Sequence, residues 1–293
     1  MSNKRVICKN EDNVAVEFNY NAENPFFLYS LEGVYSVSNK VNTSENTMTD
    51  GSTYQGSTTS QRNIVITAQM DHDYQTNRDL LYKCFKPKAT GVFTYIEGEE
   101  IREIEYKTES LDIAEKGVVR DITISLICTD PFFKDQNDTM VTMAGWGGGF
   151  EWDHEFPEEG ETFGERLAEI IKEIENDSAA DNIGITILME ASGPVTNPAI
   201  YHIEEDIFTK IGTAFEPFSI SAGEAIKITT ETNKKAVYKI GSDGTETNIN
   251  EYLDEESEFI QLTHGKNTIK YDAEAGIDYL NVTITYRFRY LGV

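Results

Sequence analysis

The stretch that decides the fold runs from Arg120 to Asp135 and reads RDITISLICTDPFFKD. Apolar and polar residues alternate from Ile122 to Cys128, which is the pattern of a strand with one buried face. Pro131 has no N–H for a strand ladder and restricts the residue before it, so the strand has to end there. The run AGWGGGF follows at 144–150, where glycine imposes almost no backbone preference. We interpret this region as the passage between two domains, with a hinge at 147–149.

Length and composition favour two globular domains. The chain has 293 residues, of which 39% are hydrophobic and 11% aromatic, and this is enough to bury a core in each half. There are 14 basic and 22 acidic residues before residue 144, a net charge of -8, and 11 basic and 29 acidic residues after it, a net charge of -18. Such a surface repels phosphate backbones and anionic lipids. We therefore expect no nucleic-acid partner, and the lack of a long apolar run predicts no membrane insertion.

The first half, residues 1–136, has the pattern of a mainly β domain with one short helix and a β-hairpin. Thr76 is the expected helix cap, and Pro87 ends the helix after an apolar face of Leu80, Leu81, Cys84 and Phe85. The segment 41–60 is rich in Ser, Thr, Asn and Gly, which predicts a long polar loop. Strands are predicted at 5–9, 13–18, 26–31, 62–68 and 120–128, and a hairpin at 91–96 and 100–106.

The second half, residues 161–293, predicts a β-sandwich after a Gly-rich and aromatic linker at 137–160. Alternation is clearest at the end of the chain, where apolar residues from Leu280 to Tyr290 share one face of a single strand. Further strands are predicted at 184–191, 195–201, 224–230, 235–240, 258–264 and 267–271. The stretch 163–176 is ambiguous, since its composition and the spacing of Leu167, Ile170, Ile171 and Ile174 favour a helix.

Two clusters, Asp71-His72-Asp73 and Asp153-His154-Glu155, contain metal-binding residue types. Neither has the spacing of a known zinc motif, and on an extended chain His72 faces away from both aspartates. Solvated turns are the simpler interpretation, so we predict no metal site. The glycine run 145–149 lacks the Lys-Ser/Thr of a phosphate loop, which predicts no cofactor site.

Three further groups of residues have both a structural and a functional interpretation. Cys8, Cys84 and Cys128 are odd in number and far apart, so we expect buried thiols made in a reducing cytoplasm. Trp146 and Trp152 suit either stacking on sugar rings or anchoring a linker. Pairs of carboxylates close enough for glycoside hydrolysis arise by chance among 51 acidic residues, so the sequence names no catalytic residue.

The order of small motifs along the chain resembles the distal tail protein (Dit) family of long-tailed bacteriophages and prophages. In the first half these are the loop DGS-x-Y at 50–54, the helix R-x-LL at 78–81 and C-x-DPFF at 128–133. In the second half they are A-x-G-x-V-x-NP at 191–198, G-x-x-G-x-x-TN at 241–248, F-x-QL at 259–262 and the terminal YLGV.

The resemblance implies a ring-forming first domain, β-sandwich or barrel-like, and a galectin-like β-sandwich as the second. It also implies a strand rather than a helix at 163–176. The implied function is that of a virion structural protein without enzymatic activity, a distal tail hub. Six copies would join the tail tube protein to the tail-tip and receptor-binding proteins. The alternative is a carbohydrate-binding or glycan-cleaving module that contacts the host cell wall. Host, receptor, tail type and ring-interface residues stay open.

Overall fold

A computed structural model describes residues 4–45, 50–70, 72–116, 119–148, 164–168, 170–178, 180 and 182–293. The chain divides into two compact units: one comprises Met1–Gln136 and Arg289–Val293, and the other Asn137–Phe288. The sequence prediction also divides the chain after residue 136. The last five residues differ from the prediction, which placed them in the second domain.

Most of the described residues lie in short β-strands. In the first unit the elements are β1 (Arg5–Asn10), β2 (Ala15–Asn19), β3 (Phe27–Glu32), β4 (Asn39–Glu45), β5 (Ser52–Thr59), β6 (Arg62–Met70), α1 (Tyr74–Cys84), β7 (Thr90–Glu97), β8 (Glu100–Lys116), β9 (Val119–Cys128) and β10 (Phe133–Asp135). In the second they are β11 (Thr139–Thr142), β12 (Ala144–Gly148), β13 (Gly164–Ala168), β14 (Ile171–Asn176), β15 (Asn182–Ala191), β16 (Val195–His202), β17 (Ile207–Lys210), β18 (Ser219–Ile220), β19 (Ala225–Thr229), β20 (Ala236–Ile240), β21 (Glu246–Asn248), β22 (Gln261–Thr263), β23 (Gly265–Ala275) and β24 (Leu280–Tyr286). The final strand, β25 (Arg289–Tyr290), belongs to the first unit, and short 3-10 helices span Asn250–Tyr252 and Ile277–Tyr279.

The first unit is a closed barrel, which confirms the barrel-like prediction. Its strands follow the order β25-β10-β8-β7-β1-β2-β3-β6-β9, and β9 pairs back onto β8. The long strand β8 permits this closure because it pairs with β7 up to Lys107 and with β9 from there on, with a register shift between Thr108 and Ser110. A bulge of this kind bends a strand and lets it change partner. The predicted alternation in β9 holds, since Ile122, Ile124, Leu126 and Cys128 are all buried in the barrel core.

The helix forms as predicted but begins earlier. Leu81, Cys84 and Phe85 are buried, and Leu80 packs at the edge of the same core. The prediction of Thr76 as the cap is wrong, because the cap position is Asp73, whose backbone is left-handed at φ 49°. The Asn77 side chain instead donates to the carbonyl of His72 at 2.9 Å and holds the start of the helix.

The polar segment 41–60 is not a loop over most of its length. Its residues form the antiparallel strands β4 and β5, and Asp50 and Gly51 lie between them. Polar residues on both faces hide the usual alternation signal for a strand, which explains the error. The structure therefore contains a projecting hairpin where the sequence predicted a loop.

The second unit is a β-sandwich, as predicted. One sheet has the order β11-β24-β15-β19-β20-β21 with β22 beside β15, and the other has the order β14-β23-β16-β17 with β18 beside β16. The core lies between them, since Ile187 and Ile284 of the first sheet share an apolar cluster with Ile200 and Ile269 of the second. Such interdigitation of two inner faces is the usual core of this architecture.

Two predicted features of this half need correction. The last strand is interrupted at 287–288, so Leu280, Val282, Ile284 and Tyr286 are buried in the sandwich while Tyr290 packs against the barrel core. The predicted linker contains β11, which pairs with β24, and β12, which pairs with β13. A regular ladder thus includes Gly147 and Gly148, which we had predicted to be hinge residues; Gly149 lies outside the described residues.

Apart from Ile170, the described residues of the ambiguous stretch 163–176 form strands. Residues 164–168 and 171–176 belong to β13 and β14, which are strands as the resemblance implies. Ile174 is buried and the neighbouring Glu173 and Glu175 are exposed. Pairing with β23 therefore outweighs the helical propensity of these residues.

Candidate interaction surfaces

The residues that suggested metal binding do not assemble in the described parts of the chain. His72 is exposed before the helix, and Asp73 occupies the left-handed cap position. Among the described residues, no group of three or more His, Cys, Asp or Glu side chains could hold a metal ion. Asp71 and the cluster 153–155 lie outside the described residues.

The three cysteines are buried and unpaired, as their interpretation as core residues requires. Burial raises the pKa of the Cys84 thiol to about 11 and that of Cys128 to about 12, and it raises the pKa of Cys8 as well. A thiol is nucleophilic only as the thiolate. These side chains therefore act as small apolar residues in the barrel.

Several carboxyl groups have shifted pKa values. The direction of each shift shows whether the group could act as the general acid in glycan cleavage. Hydrogen bonds from Thr90 lower the pKa of Glu11, and the bond from Lys239 lowers the pKa of Glu224. The backbone N–H of Thr245 lowers the pKa of Asp243. A general acid for glycoside hydrolysis needs a raised pKa. These three groups therefore do not suit the glycan-cleaving alternative.

The glycine run forms an edge ladder rather than a phosphate loop. In β12 the backbone of Trp146 pairs with Arg166 of β13, and Gly148 pairs with Gly164. A phosphate loop would instead need free N–H groups between a strand and a helix. Trp152, the other candidate for sugar stacking, lies outside the described residues.

A buried arginine, which the sequence analysis did not single out, fastens the end of the chain to the barrel. Arg62 is 5% exposed. Its Nε donates to the Pro131 carbonyl at 2.8 Å, and Nη1 donates to the carbonyls of Gly33 at 2.6 Å and Val34 at 3.1 Å. Its Nη2 donates to the carbonyl of Leu291. One guanidinium thus joins three distant stretches of backbone, and we call it the Arg62 clamp.

The returning strand β25 adds further contacts beside the clamp. Tyr290 pairs with Phe133 in the ladder, donates to Asp135 at 3.1 Å and lies under the Arg102 guanidinium, 3.7 Å from the ring centroid. Arg289 forms an ion pair with Asp130. Stacking of a guanidinium on an aromatic ring favours arginine over lysine. In the sequence, the alternation of Arg287 and Arg289 with aromatic residues near the C-terminus is the signal that could have indicated these contacts.

The hairpin β4–β5 offers a surface for another chain. Among the described strands its two members pair only with each other. Val41 is 57% exposed and Tyr54 is 62% exposed. A two-stranded hairpin alone is marginally stable in water, and its unpaired edges are templates for further pairing. Contact with a partner would therefore stabilise it.

Comparisons with known proteins match both halves of the chain. Residues 16–128 match the phage tail protein RIFT-related domain, and residues 180–290 match the C-terminal domain of the siphovirus-type tail component. No protein with a curated description matches the chain.

Solved structures share the fold of the whole chain. The crystal structure of the Dit protein of phage SPP1, described as a hub of the adsorption apparatus, has a TM-score of 0.69 at 14% identity. The similarity covers 98% of this chain and 99% of that one. A chain of the phage P2 baseplate in its activated conformation has a TM-score of 0.52 at 11% identity, with 99% of both chains covered.

No helix in the described parts of the chain has the length and apolar character to cross a membrane.

The two family matches follow each other in chain order and cover the barrel and the sandwich in turn. The chain belongs to the distal tail protein (Dit) family of siphophages, whose members are structural components of the virion tail.

Proposed function

We propose that six copies of this chain form a ring at the distal end of the tail. The ring joins the tail tube protein on one side to the tail-tip and receptor-binding proteins on the other, and no catalytic step is involved. The observation that supports this most is the likeness of the whole chain, barrel and sandwich together, to the SPP1 hub protein.

The hairpin β4–β5 supplies a physical reason for ring assembly. A cyclic ring repeats one heterologous interface, so each copy needs a projecting surface and a different surface that receives it. The hairpin projects with Tyr54 and Val41 exposed on polar strands. Seating it on the neighbouring copy would bury these side chains and cover a strand edge.

Native mass spectrometry and electron microscopy of the purified chain test the proposal. At micromolar concentration we expect a hexamer in the native mass spectra and ring-shaped particles in the electron micrographs. Tyr54→Asp places a charge on the hairpin and should shift the population towards monomers. Tyr82→Asp is the matched control, because Tyr82 is 53% exposed on the helix and not on the hairpin. A wild-type protein that stays monomeric at all concentrations and salt conditions contradicts the ring.

A further inference from the structure

One segment of the sandwich is basic although the chain as a whole is acidic. The whole chain has a net charge of -26, yet residues 225–241 contain four lysines and a single acidic residue, Glu231. Three of these lysines, Lys227, Lys234 and Lys235, line one groove of about 570 Å³. Grooves of this size are typical of small-ligand sites. We call it the lysine groove.

The floor of the lysine groove is the outer face of strands β19, β20 and β21. Lys227, Tyr238 and Asn248 lie opposite one another across these three strands, so their side chains share one face of the sheet. The turn between β19 and β20 closes one end. It is held by the bond from Lys234 N–H to the Glu231 carbonyl at 2.9 Å and by Thr229 Oγ1, which donates to the Lys234 carbonyl at 2.7 Å.

Two asparagine side chains present hydrogen-bond donors at the rim of the groove. Asn248 Oδ1 accepts the backbone N–H of Asn250 at 3.0 Å, and Asn250 Oδ1 accepts that of Val237 at 2.7 Å. Because each amide oxygen is held by the backbone, each Nδ2 group is turned the other way, and both residues are exposed. With the ammonium groups, the groove therefore offers mainly donors, which suits a ligand rich in acceptor oxygens.

The lysines are available to an anionic ligand. Lys227 pairs with Glu246 at 2.6 Å, and Lys234 pairs with Glu231 at 3.5 Å. Exposed pairs like these contribute about 0–1 kcal/mol, so a ligand can replace them at small cost. Lys235 contacts the Phe259 ring at 5.8 Å and has no ion-pair partner in the part of the chain that the structure describes. Its charge is the least compensated of the three.

We propose that the lysine groove binds an anionic glycan, with a phosphate or carboxylate on the lysines and a sugar ring beside Tyr238. Aromatic rings pack well against the apolar face of a sugar while the hydroxyl groups reach polar neighbours. Charge-assisted bonds from lysine fix the anionic group. The acidic remainder of the protein disfavours a densely charged polymer such as nucleic acid, but salt screens it beyond about 8 Å. A glycan with widely spaced charges can bind the lysines of the groove while few of its charges are repelled by the acidic remainder of the protein.

Calorimetric titration of the full chain at about 0.15 M salt, where charges are screened beyond about 8 Å, tests the proposal with three probes. These are a dextran oligosaccharide that carries a single phosphate, one that carries a single carboxylate, and the neutral dextran oligosaccharide. We expect binding of one or both anionic probes and none of dextran, and the two anionic arms distinguish phosphate from carboxylate. Binding of neither anionic probe at millimolar concentration, or equal binding of dextran, overturns the proposal.

Two variants test the site itself. Lys235→Glu should weaken binding of the anionic probe at least about ten-fold, since it replaces a charge-assisted donor by a repelling group. Asn248→Asp keeps the oxygen that accepts the Asn250 N–H but loses the Nδ2 donor, so a similar loss with unchanged thermal stability indicates a ligand contact. Lys266→Glu is the matched control, an exposed lysine that pairs with Glu173 beside β14. Wild-type affinity in both groove variants, or equal loss in the control, overturns the assignment.

Discussion

Replacing Arg62 by alanine should loosen the first unit selectively. Arg62 donates hydrogen bonds to four backbone carbonyls, those of Gly33, Val34, Pro131 and Leu291. Its guanidinium also lies 4.9 Å from the centroid of the Phe133 ring. A hydrogen bond to a charged group contributes about 1.5–3 kcal/mol, and carbonyls left without a donor add a penalty unless water reaches them. Burial lowers the pKa of the guanidinium, which reflects the desolvation cost that offsets part of this gain.

The net loss in unfolding free energy is therefore about 3–5 kcal/mol, less than the sum of four bonds. This is a large share of the 5–15 kcal/mol that is typical of a domain. Arg62→Lys keeps the charge but lacks the planar fork that reaches several carbonyls, so we expect an intermediate loss. Arg78→Ala is the control, because its ion pair with Asp79 is on the surface and contributes within about 0.5 kcal/mol.

Hydrogen exchange measured by mass spectrometry separates the two units. In Arg62→Ala, the amides of β6 and β9 should exchange about 10²–10⁴-fold faster than in the wild type, as the lost free energy requires. The amides of β15 and β24, in the second unit, should keep their wild-type rates and serve as an internal reference. Unchanged exchange in β6 and β9 would refute the role of the clamp. Equally faster amide exchange in both units would refute the claim that the clamp stabilises only the barrel.

Three further predictions concern other parts of the chain. The buried cysteines should resist iodoacetamide at pH 8 and react fully in guanidinium, as peptide mass spectra would show, because their raised pKa values keep them protonated. Glu224→Gln should destabilise the sandwich in urea at pH 7. The bond from Lys239 lowers the pKa of Glu224 in the folded protein, so the carboxylate contributes stability above pH 4.5, its ordinary pKa. That contribution is lost as the pH falls through the folded pKa, so the difference from wild type should shrink as the solution becomes more acidic. Gly212→Ala should lower the melting temperature, with a loss of at least about 2 kcal/mol, because its φ is +85° and a Cβ would lie 2.2 Å from Asn197 Oδ1.

Alternation in the sequence predicts which residues face a core, but not which strands pair. The buried sets in β9 and β24 follow directly from their apolar periods. The closure of the barrel by β8 depends on a register shift near Thr108 and on contacts with two different strands. Periodicity contains no information on such partners, since it describes one strand at a time.

The glycine run shows a second limit of sequence reasoning. Absence of a side chain permits many backbone conformations, and an extended strand is one of them. Gly147 and Gly148 therefore fit the β12–β13 ladder as well as they fit a hinge. Residues 164–168 and 171–176 show the reverse case, where a helical composition yields to pairing with a strand that is remote in sequence.

Arg62 could not be identified from local pattern, because its four acceptors come from positions 33–34, 131 and 291. An arginine at the first residue of a strand is ordinary in any β protein. Only the return of the C-terminus to the barrel makes it a clamp. The same holds for the lysine groove, whose residues come from three strands, one turn and the 3-10 helix at Asn250.

The chain passes between its units twice, and this has a consequence for folding. The second unit, Asn137–Phe288, is an insertion in the first. Its first and last strands pair with each other, since Thr139 lies opposite Tyr286, and on the barrel side Phe133 lies opposite Tyr290. An inserted domain needs adjacent ends, and here the ladder of β11 and β24 supplies them. Folding of the sandwich therefore brings the two connections to the barrel together. This shortens the loop that has to close and lowers the entropic cost of pairing β25 with β10 and of forming the Arg62–Leu291 bond.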